Sequence, residues 1–264
     1  MRDSVVAVIQ ARTGSSRLPG KVLLPLGGST VLEQMMARVM RARTLDDLVV
    51  ATTTHPDDDA IVERMTEIGI TCIRGSEHDL LDRHLQAAVA TWAAHVVKIP
   101  SDCPLIDPAV IDAVVIDYLD RPGAVDYASN LHPASWPDGN DVEVISRRAL
   151  EIAWNEATEP WQREHTSPFI WDRPDRFRLL NVPMPGGTDL SRRWRHVLDY
   201  PEDYQVIRTV FDALHPIDPE FGTAAIVDFL ERHPAIADLN AVYRGQQWHD
   251  QHRHQLRTLQ EQVA

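Results

Sequence analysis

The chain has 264 residues and a formal net charge of -13, with 44% hydrophobic and 25% charged residues. This composition is typical of a globular protein with one large α/β domain or two smaller ones, and the acidic balance argues against non-specific nucleic-acid binding. No apolar run approaches the ~20 residues of a membrane span, and the N-terminus lacks a signal-peptide pattern. Two cysteines, Cys72 and Cys103, make no disulfide framework. We therefore expect a cytoplasmic protein with no nucleic-acid or membrane partner.

Strand and helix patterns alternate in the first half of the chain. Because alternation of this kind is typical of βα units, we expect an α/β fold in three layers, with a mainly parallel sheet between helices. The run from Asp57 to Asp59 is interpreted as a charged helix start rather than a metal site. The apolar spacing predicts strands at 5–10, 48–52, 70–73 and 95–99, and helices at 31–42, 57–68, 80–92 and 108–119.

The alternation loosens after about Gly123. From about Val242 the chain is polar and rich in Gln, His and Arg, which predicts an exposed helix or a frayed end. Histidines at 249, 252 and 254 are interpreted as part of that solvated segment rather than as metal ligands. The patterns predict short strands at 126–129, 141–145, 177–182 and 195–198, and helices at 147–154, 202–214 and 223–233.

The first predicted strand runs into a loop of small residues and cations, Q-A-R-T-G-S-S-R-L-P-G-K. Arg12, Arg17 and Lys21 bring three positive charges to this loop, and its glycines, Gly14 and Gly20, let the backbone approach a ligand closely. A loop at the carboxyl end of a strand is where α/β proteins bind phosphates. The alternative is an ordinary surface loop with solvated cations. In so acidic a chain, cations gathered in one loop favour an anion site.

The loop differs from two better-known phosphate-binding loops. Gly14 and Gly20 are one position too far apart for a Walker A loop, and Val22 follows the lysine where a Ser or Thr would bind magnesium. No G-x-G-x-x-G dinucleotide fingerprint occurs here. The sequence therefore predicts a polyphosphate site of another kind.

Two aspartates follow apolar runs at points where a parallel sheet binds ligands. Asp102 comes shortly after the strand predicted at 95–99, and Asp199 directly follows the strand predicted at 195–198. Carboxylates in such places can hold Mg²⁺, which takes its remaining ligands from phosphates and water. The alternatives are a turn aspartate before Pro104 and a helix N-cap before Pro201.

These motifs, in this order, resemble the cytidylyltransferases of the spore-coat polysaccharide protein F type, which are related to CMP-sugar-acid synthetases. The resemblance runs from about Val5 to Val210 and rests on Q-A-R-x-G-S-x-R-L-P-G-K, D-C-P-L-I-D, D-V-E-V, R-E-H-x-x-P and D-x-P-E-D. It implies a nucleotide-diphospho-sugar transferase (GT-A-like, Rossmann-like) fold that uses CTP with Mg²⁺. We predict a nucleotidyltransferase domain over 1–240, with its nucleotide part at 1–122 and its acceptor part at 123–200. The polar composition after it predicts a C-terminal helical tail at 241–264.

The resemblance implies a role for particular residues. The loop cations would grip the triphosphate, Asp102 and Asp199 would bind Mg²⁺ as the cofactor, and Arg83 would lie near the nucleotide. We predict catalytic roles for Arg12, Lys21, Asp102 and Asp199. We predict nucleotide contacts from Gln10, Ala11, Arg12, Gly14, Ser15, Arg17, Lys21, Thr52, Arg83 and Asp102. We predict acceptor contacts from Asn130, Asp141, Glu143, Glu164, His165 and Arg195.

The acceptor half carries weaker patterns. Asp141 and Glu143 would share one strand face, where the alternative is plain solvation, and a structural role is the alternative for His165. The segment before Asp102 is K-I-P-S-D where the family has R-I-T-G-D, which bears on base choice. His196 and Tyr200 also depart from the family pattern, and both are expected near the acceptor.

The expected reaction is in-line attack of an acceptor oxygen on the α-phosphorus of CTP, with pyrophosphate as leaving group and no covalent enzyme intermediate. Mg²⁺ would lower the acceptor pKa, and the loop cations would stabilise the pyrophosphate. The partners are then CTP and a small acidic acceptor such as a sugar acid or a phosphonate, and a homodimer is possible. A glycosyltransferase of the same fold and a non-catalytic nucleotide-binding module are the alternatives.

Overall fold

The computed structural model describes residues 3–246, 249, 252 and 254–258. Seven strands form one central sheet: β1 (Val5–Gln10), β4 (Asp47–Thr53), β5 (Thr71–Gly75), β6 (His95–Pro100), β7 (Tyr127–Ser129), β8 (Glu143–Ser146) and β9 (Leu179–Asn181). Their order is β5-β4-β1-β6-β8-β7-β9. The first four are parallel, β8 is antiparallel to β6 and β7, and β9 is parallel to β7. The prediction of a mainly parallel α/β sheet is confirmed.

Helices cover both faces of this sheet, and a two-strand hairpin, β2 (Pro25–Leu26) and β3 (Ser29–Thr30), precedes the first of them. No helix in the described part of the chain is long and apolar enough to cross a membrane. The helices are α1 (Val31–Val39), α2 (Asp59–Glu67), α3 (Leu80–Ala90), α4 (Pro108–Leu119), α5 (Arg147–Glu156), α6 (Pro160–His165), α7 (Pro168–Trp171), α8 (Pro201–Leu214), α9 (Thr223–Arg232) and α10 (Pro234–Ala237).

The core follows from the period of two in β1. Ala7 and Ile9 point to the layer that contains α1, α2 and α4, whereas Val6 and Val8 point to the layer of α3 and α5. A third apolar cluster joins α8 and α9 beside the hairpin. Because every β1 residue from Val5 to Ile9 is fully or almost fully buried, the strand reads as a continuous apolar run, as central parallel strands do.

The predicted strand at 195–198 is wrong. This segment makes one isolated bridge, between Arg195 and Asp138, and the Leu198 amide donates to the carbonyl of Asp102 at 2.7 Å. The segment therefore crosses the carboxyl end of β6 instead of joining the sheet. The strand predicted from Asp141 begins two residues later, at Glu143, because residues 138–141 form the turn that enters β8.

The C-terminal residues that the structure describes fold back onto the body of the protein. Leu256 is fully buried in the cluster around α5, α6 and α7, and Thr258 donates from both its amide and its hydroxyl to Asp172 at 2.9 Å. Leu256 thus interrupts the predicted exposed helix or frayed end with an apolar anchor, whereas 254, 255 and 257 are exposed, as that prediction expects. The rest of the predicted tail, 247–248, 250–251, 253 and 259–264, lies outside the described residues.

A buried arginine ties the first helix to the loop after β6. Arg38, on α1, is 2% exposed and donates to the carbonyls of Ile106 at 2.8 Å, Leu105 at 3.3 Å and Phe221 at 2.8 Å. Burial lowers its pKa to about 10, which still leaves it charged at neutral pH. The guanidinium thus holds the D-C-P-L-I-D loop and the start of α9 in place through three backbone acceptors.

We expect R38A to lower the free energy of unfolding by about 3 kcal/mol, because three buried carbonyls would lose a charged donor. Urea denaturation of the purified variant measures this loss. Arg43 offers the matched control, since its side chain is 87% exposed and its ion pair with Asp112 is long, at 3.4 Å. R43A should cost less than about 1 kcal/mol. Equal losses from the two variants would contradict the assignment.

Candidate active site

A cavity of about 800 Å³ opens at the carboxyl ends of β1 and β6. It lies where ligands bind in open α/β sheets. Most of the predicted site residues line it: Gln10, Ala11, Arg12, Ser15, Arg17, Lys21, Arg83, Asp102, Asp141, Glu143, Glu164, His165, Arg195 and Asp199. The fold thus gathers residues from positions 10 to 199 around one space.

Three predicted residues do not line this cavity. Gly14 lies in the loop, and an added Cβ there would come within 3.7 Å of Glu77. Thr52 is fully buried in β4. Asn130 clamps the turn before β8, donating to the Asn140 carbonyl at 2.7 Å and accepting from the Val142 amide at 3.0 Å. Asn130 therefore supports the turn before β8 through backbone hydrogen bonds instead of facing the cavity.

The glycine loop is shaped by one positive-φ residue and one buried carboxylate. Gly20 has φ +67° and precedes the short 3-10 helix Lys21–Leu23, so it turns the lysine back toward the sheet. Asp58 is 2% exposed and accepts from the Thr13 amide and hydroxyl, each at 2.7 Å. The interpretation of this aspartate as part of a plain helix start missed its role, because its partner lies 45 residues away.

The cations that line the cavity differ in how fully they are paired. Arg12 donates to Glu77 at 3.1 Å at the rim. Arg83 is 3% exposed, and within the described residues its Nε has no hydrogen-bond partner. Burial, and then the charge of Arg12, lowers the pKa of Arg83 to about 10, so it remains a buried cation. A buried cation with a donor to spare, on the wall of a cavity, is suited to an anionic ligand.

Asp199 is the point where the loop meets the later part of the chain. Its Oδ1 lies 2.9 Å from Lys21 Nζ and 2.8 Å from Arg17, and its Oδ2 lies 3.5 Å from Arg195. Lys21 Nζ also donates to the Leu198 carbonyl at 2.7 Å. Burial would raise the pKa of Asp199, but the charge of Lys21 and its hydrogen bond outweigh burial and lower it. Asp199 is therefore a carboxylate among cations.

Asp203 takes the capping role that was the alternative for Asp199. Its carboxylate accepts from the amides of Asp199 at 2.9 Å and Tyr200 at 3.0 Å, at the start of α8. It also pairs with Arg195 at 3.0 Å. Arg195 reaches Asp138 at 2.9 Å as well, and its pKa is raised because these carboxylates outweigh its burial. Arg195 therefore organises the wall by holding acidic residues together.

Asp102 faces the same space from the end of β6. Burial raises its pKa, the Lys21 charge opposes this, and the Asp199 carboxylate adds to it. A like-charged pair of carboxylates calls for a cation between or beside them. Among the described residues no group of three or more His, Cys, Asp or Glu side chains is arranged to hold a metal ion. A metal at Asp102 and Asp199 would therefore take most of its ligands from a bound phosphate and water, as Mg²⁺ does.

The wall of the cavity that β6 and β8 form is built on a cross-strand ion pair. Lys98 on β6 stands opposite Glu143 on β8, and the two side chains form a buried salt bridge. The Tyr127 hydroxyl donates to Glu143 at 2.7 Å. Burial would raise the pKa of Glu143, but the Lys98 charge and these hydrogen bonds leave it lowered. Glu143 is therefore a paired buried carboxylate and does not lie on a solvated strand face.

Two further aspartates complete this wall. Burial, and then the neighbouring carboxylates Asp138 and Asp102, raises the pKa of Asp141 well above its ordinary value. Burial likewise raises the pKa of Asp138 to about 7, against the opposing charge of Arg195. The sequence analysis missed Asp138 and Lys98 as cavity residues. A lysine inside an apolar strand was the available signal for Lys98.

Helix α6 brings Glu164 and His165 to the cavity at its C-terminal end. Glu164 is exposed at the rim. Burial, and then the charges of Lys98 and His252, lowers the pKa of His165 to about 3, so its imidazole is neutral. The cavity wall here also includes Gln246 and His252, which the sequence analysis did not assign to a site.

The outcome differs for the two residues that depart from the family pattern. Tyr200 lines the cavity, with Arg17 over its ring at 5.1 Å. His196 does not; it is fully buried beneath Gly139, where an added Cβ would come within 2.4 Å of its Nδ1. Within the described residues, neither ring nitrogen of His196 has a hydrogen-bond partner. His196 is therefore a core residue and not part of the cavity wall.

The sequence matches a family model described as cytidylyltransferase over residues 6–220. The chain therefore belongs to the cytidylyltransferase family and is a CTP-dependent nucleotidyltransferase. The resemblance drawn from the motifs is confirmed, as is the fold that it implied.

Individual relatives cover almost the whole chain. An uncharacterized protein of Methanocaldococcus jannaschii is 35% identical over 93% of this chain and 98% of its own. The spore coat polysaccharide biosynthesis protein SpsF of Bacillus subtilis is 28% identical, over 89% and 97%. A 3-deoxy-manno-octulosonate cytidylyltransferase of Solibacter usitatus is 27% identical, over 83% and 92%. A solved cytidylyltransferase from Leptospira borgpetersenii is 29% identical with a TM-score of 0.83, over 93% and 99%.

The buried His196 predicts an acid-sensitive contribution to stability. Burial lowers its pKa from 6.5 to about 4, so between these values the unfolded chain binds a proton that the folded chain does not. Stability is therefore complete above pH 6.5 and falls as the pH drops toward 4. When the pH is lowered from 7 to 5, we expect the unsubstituted protein to lose about 2 kcal/mol more of its free energy of unfolding than H196L loses.

Urea denaturation at the two pH values measures this difference. H78L removes an exposed imidazole and serves as the matched control. Its free energy of unfolding should depend on pH as that of the unsubstituted protein does. If H196L lost as much stability on acidification as H78L, His196 would not be held neutral in the folded protein.

Proposed function

We propose that this protein transfers CMP from CTP to a small acidic acceptor, with magnesium as cofactor and pyrophosphate as product. The single observation that carries the proposal is the meeting of the glycine-loop cations with two carboxylates, Asp102 and Asp199, in one cavity at the carboxyl ends of β1 and β6. A triphosphate needs cations along its chain, and a bound divalent metal needs carboxylates at one end of it.

The nucleotide end of the cavity is assigned to the triphosphate. Arg12, Arg17, Lys21 and Arg83 line it together. Arg17 and Lys21 both form ion pairs with Asp199, so incoming phosphate oxygens would compete with that carboxylate for them. As pyrophosphate leaves, the same cations would stabilise the charge that develops on it.

The metal is assigned to Asp102 and Asp199. Both are oxygen ligands, and the pKa of Asp102 is raised by burial and by the charge of Asp199, a cost that a bound cation removes. When bound there, Mg²⁺ would neutralise phosphate charge and lower the pKa of the acceptor hydroxyl. The chain itself holds the two carboxylates in register, because the Leu198 amide binds the Asp102 carbonyl.

The acceptor is assigned to the wall made by Lys98, Asp141, Glu143 and His165. These side chains offer hydrogen-bond donors and acceptors to a polar molecule beside the α-phosphate. The acceptor oxygen would attack in line, and no enzyme side chain is needed as a nucleophile. The proposal that the acceptor molecule is acidic rests on the likeness to the 3-deoxy-manno-octulosonate cytidylyltransferase, whose name states a sugar acid as substrate.

A nucleotide and acceptor screen tests the proposal. The protein is incubated with each of the four NTPs, Mg²⁺ and a panel that includes 3-deoxy-manno-octulosonate, a nonulosonate and a phosphonate. Pyrophosphate release is measured, and the conjugate is identified by mass. We expect release with CTP and at least one acidic acceptor. Sugar transfer in a parallel incubation with a nucleotide sugar in place of the NTP, without pyrophosphate release, would instead support a glycosyltransferase. CTP binding without turnover of any panel member would support a non-catalytic module.

We expect D102N to lower turnover at least about a hundredfold, because the amide cannot supply the charge that holds the metal. The fold should remain intact, since the hydrogen bond that Cys103 donates to the Asp102 carboxylate is long, at 3.6 Å, and an amide oxygen can still accept it. Pyrophosphate release measures the first expectation and urea denaturation the second. D120N, at the exposed end of α4, is the matched control. Near-normal turnover by D102N would overturn the metal assignment.

A further inference from the structure

The C-terminal segment, defined here as Gln246, His249, His252 and 254–258, reaches the cavity from outside the region that the family model matches. Gln246 and His252 line the acceptor side, although the model match ends at residue 220. This wall of the cavity therefore includes side chains from outside the region that the family model matches. Residues of this kind are suited to distinguish one acceptor from another.

The segment is anchored on both its apolar and its polar side. Leu256 is fully buried in the same cluster as Trp161 and Trp171. Thr258 donates twice to Asp172 at 2.9 Å, and Arg257 pairs with Asp175 at 3.3 Å. A buried leucine flanked by these polar contacts fixes the path of the backbone just after His252.

The imidazole of His252 has a defined place in this wall. Its ring stacks on Trp161, with centroids 5.6 Å apart and planes inclined by 22°. Its Nδ1 lies 2.9 Å from Gln255 Oε1, a contact that sets the orientation of the ring. The ring of His165 is 6.4 Å away, across the same part of the cavity. Two imidazoles thus stand beside the Lys98–Glu143 pair.

The charges on this wall decide what kind of group it can recognise. Lys98 is bound to Glu143, and Arg195 is bound to Asp138 and Asp203. His165 is neutral, because burial lowers its pKa to about 3. The neutral imidazole of His165 and the paired charges match hydroxyl groups, which both donate and accept hydrogen bonds.

Resting on the proposed cytidylyltransferase reaction, we propose that His252 is an acceptor-binding residue that hydrogen-bonds a hydroxyl group of the acceptor. The anchored C-terminal segment delivers it to the wall that also contains His165. His252 thereby sets the affinity for the acceptor while leaving the nucleotide end of the cavity untouched.

Steady-state kinetics of full-length variants test this proposal. The probe is the panel acceptor with the highest turnover, with 3-deoxy-manno-octulosonate as the first choice. H252A should raise the acceptor KM about tenfold, the loss of one good hydrogen bond, and leave the KM for CTP within about twofold. H252Q keeps a polar group at this place and should stay within about threefold of the unsubstituted acceptor KM.

His254 provides the matched control, because it is an exposed histidine in the same segment that does not line the cavity. H254A should leave both KM values unchanged. Calorimetric titration with CTP in the absence of acceptor gives a second reading, and H252A should bind CTP as the unsubstituted protein does.

Two results would overturn the inference. An acceptor KM for H252A equal to that of H254A would remove His252 from acceptor binding while the cytidylyl transfer stands. A parallel rise in the KM for CTP, with weaker CTP binding, would assign His252 a structural role. Absence of pyrophosphate release by the unsubstituted protein with every panel member is a separate outcome, which overturns the proposed reaction and this inference with it.

Discussion

The ion cluster around Asp199 is the interaction on which the rest of the site depends. One carboxylate binds Lys21 and Arg17 from the first loop and Arg195 from its own segment. Its contact with Lys21 joins two residues that are 178 positions apart in the sequence. Because Lys21 and Asp199 are only 12% and 13% exposed, their attraction is weakly screened. Removing Asp199 would leave the Lys21 ammonium buried without an opposing charge. The loop, the end of β6 and the start of α8 are therefore held as one unit.

Charge is distributed unevenly across the cavity, and this gives each end its chemistry. Arginines and a lysine dominate the loop end, where Arg83 keeps an unpartnered buried donor within the described residues. The other end contains paired charges and the buried acids Asp138 and Asp141, both with raised pKa values because of burial. An anion such as a triphosphate is therefore favoured at the first end. The second end offers hydrogen-bond partners to the hydroxyl groups of a bound molecule.

The sequence predicted what depends on local pattern and missed what depends on distant contact. The apolar period of β1 and the carboxyl-end positions of Asp102 and Asp199 are local, so the sheet and most cavity residues could be predicted. The 195–198 run has the composition of a strand, yet its backbone binds Asp138 and Asp102. Asp58 looked like a helix start because its partner Thr13 lies far away in sequence. Such pairings follow from the tertiary fold, which no local propensity specifies.

The two halves of the cavity also differ in where their residues come from, and this bears on how specificity can change. The nucleotide end is built from strand ends and from the loop that Gly20 turns, which the core fixes from both faces of the sheet. Part of the acceptor end comes from the C-terminal segment, which a single buried leucine and a few polar contacts hold. Substitutions in such a segment disturb fewer core contacts than substitutions in β1 or β6. Substitutions in the C-terminal segment would therefore alter the proposed acceptor wall without disturbing β1 or the loop that follows it.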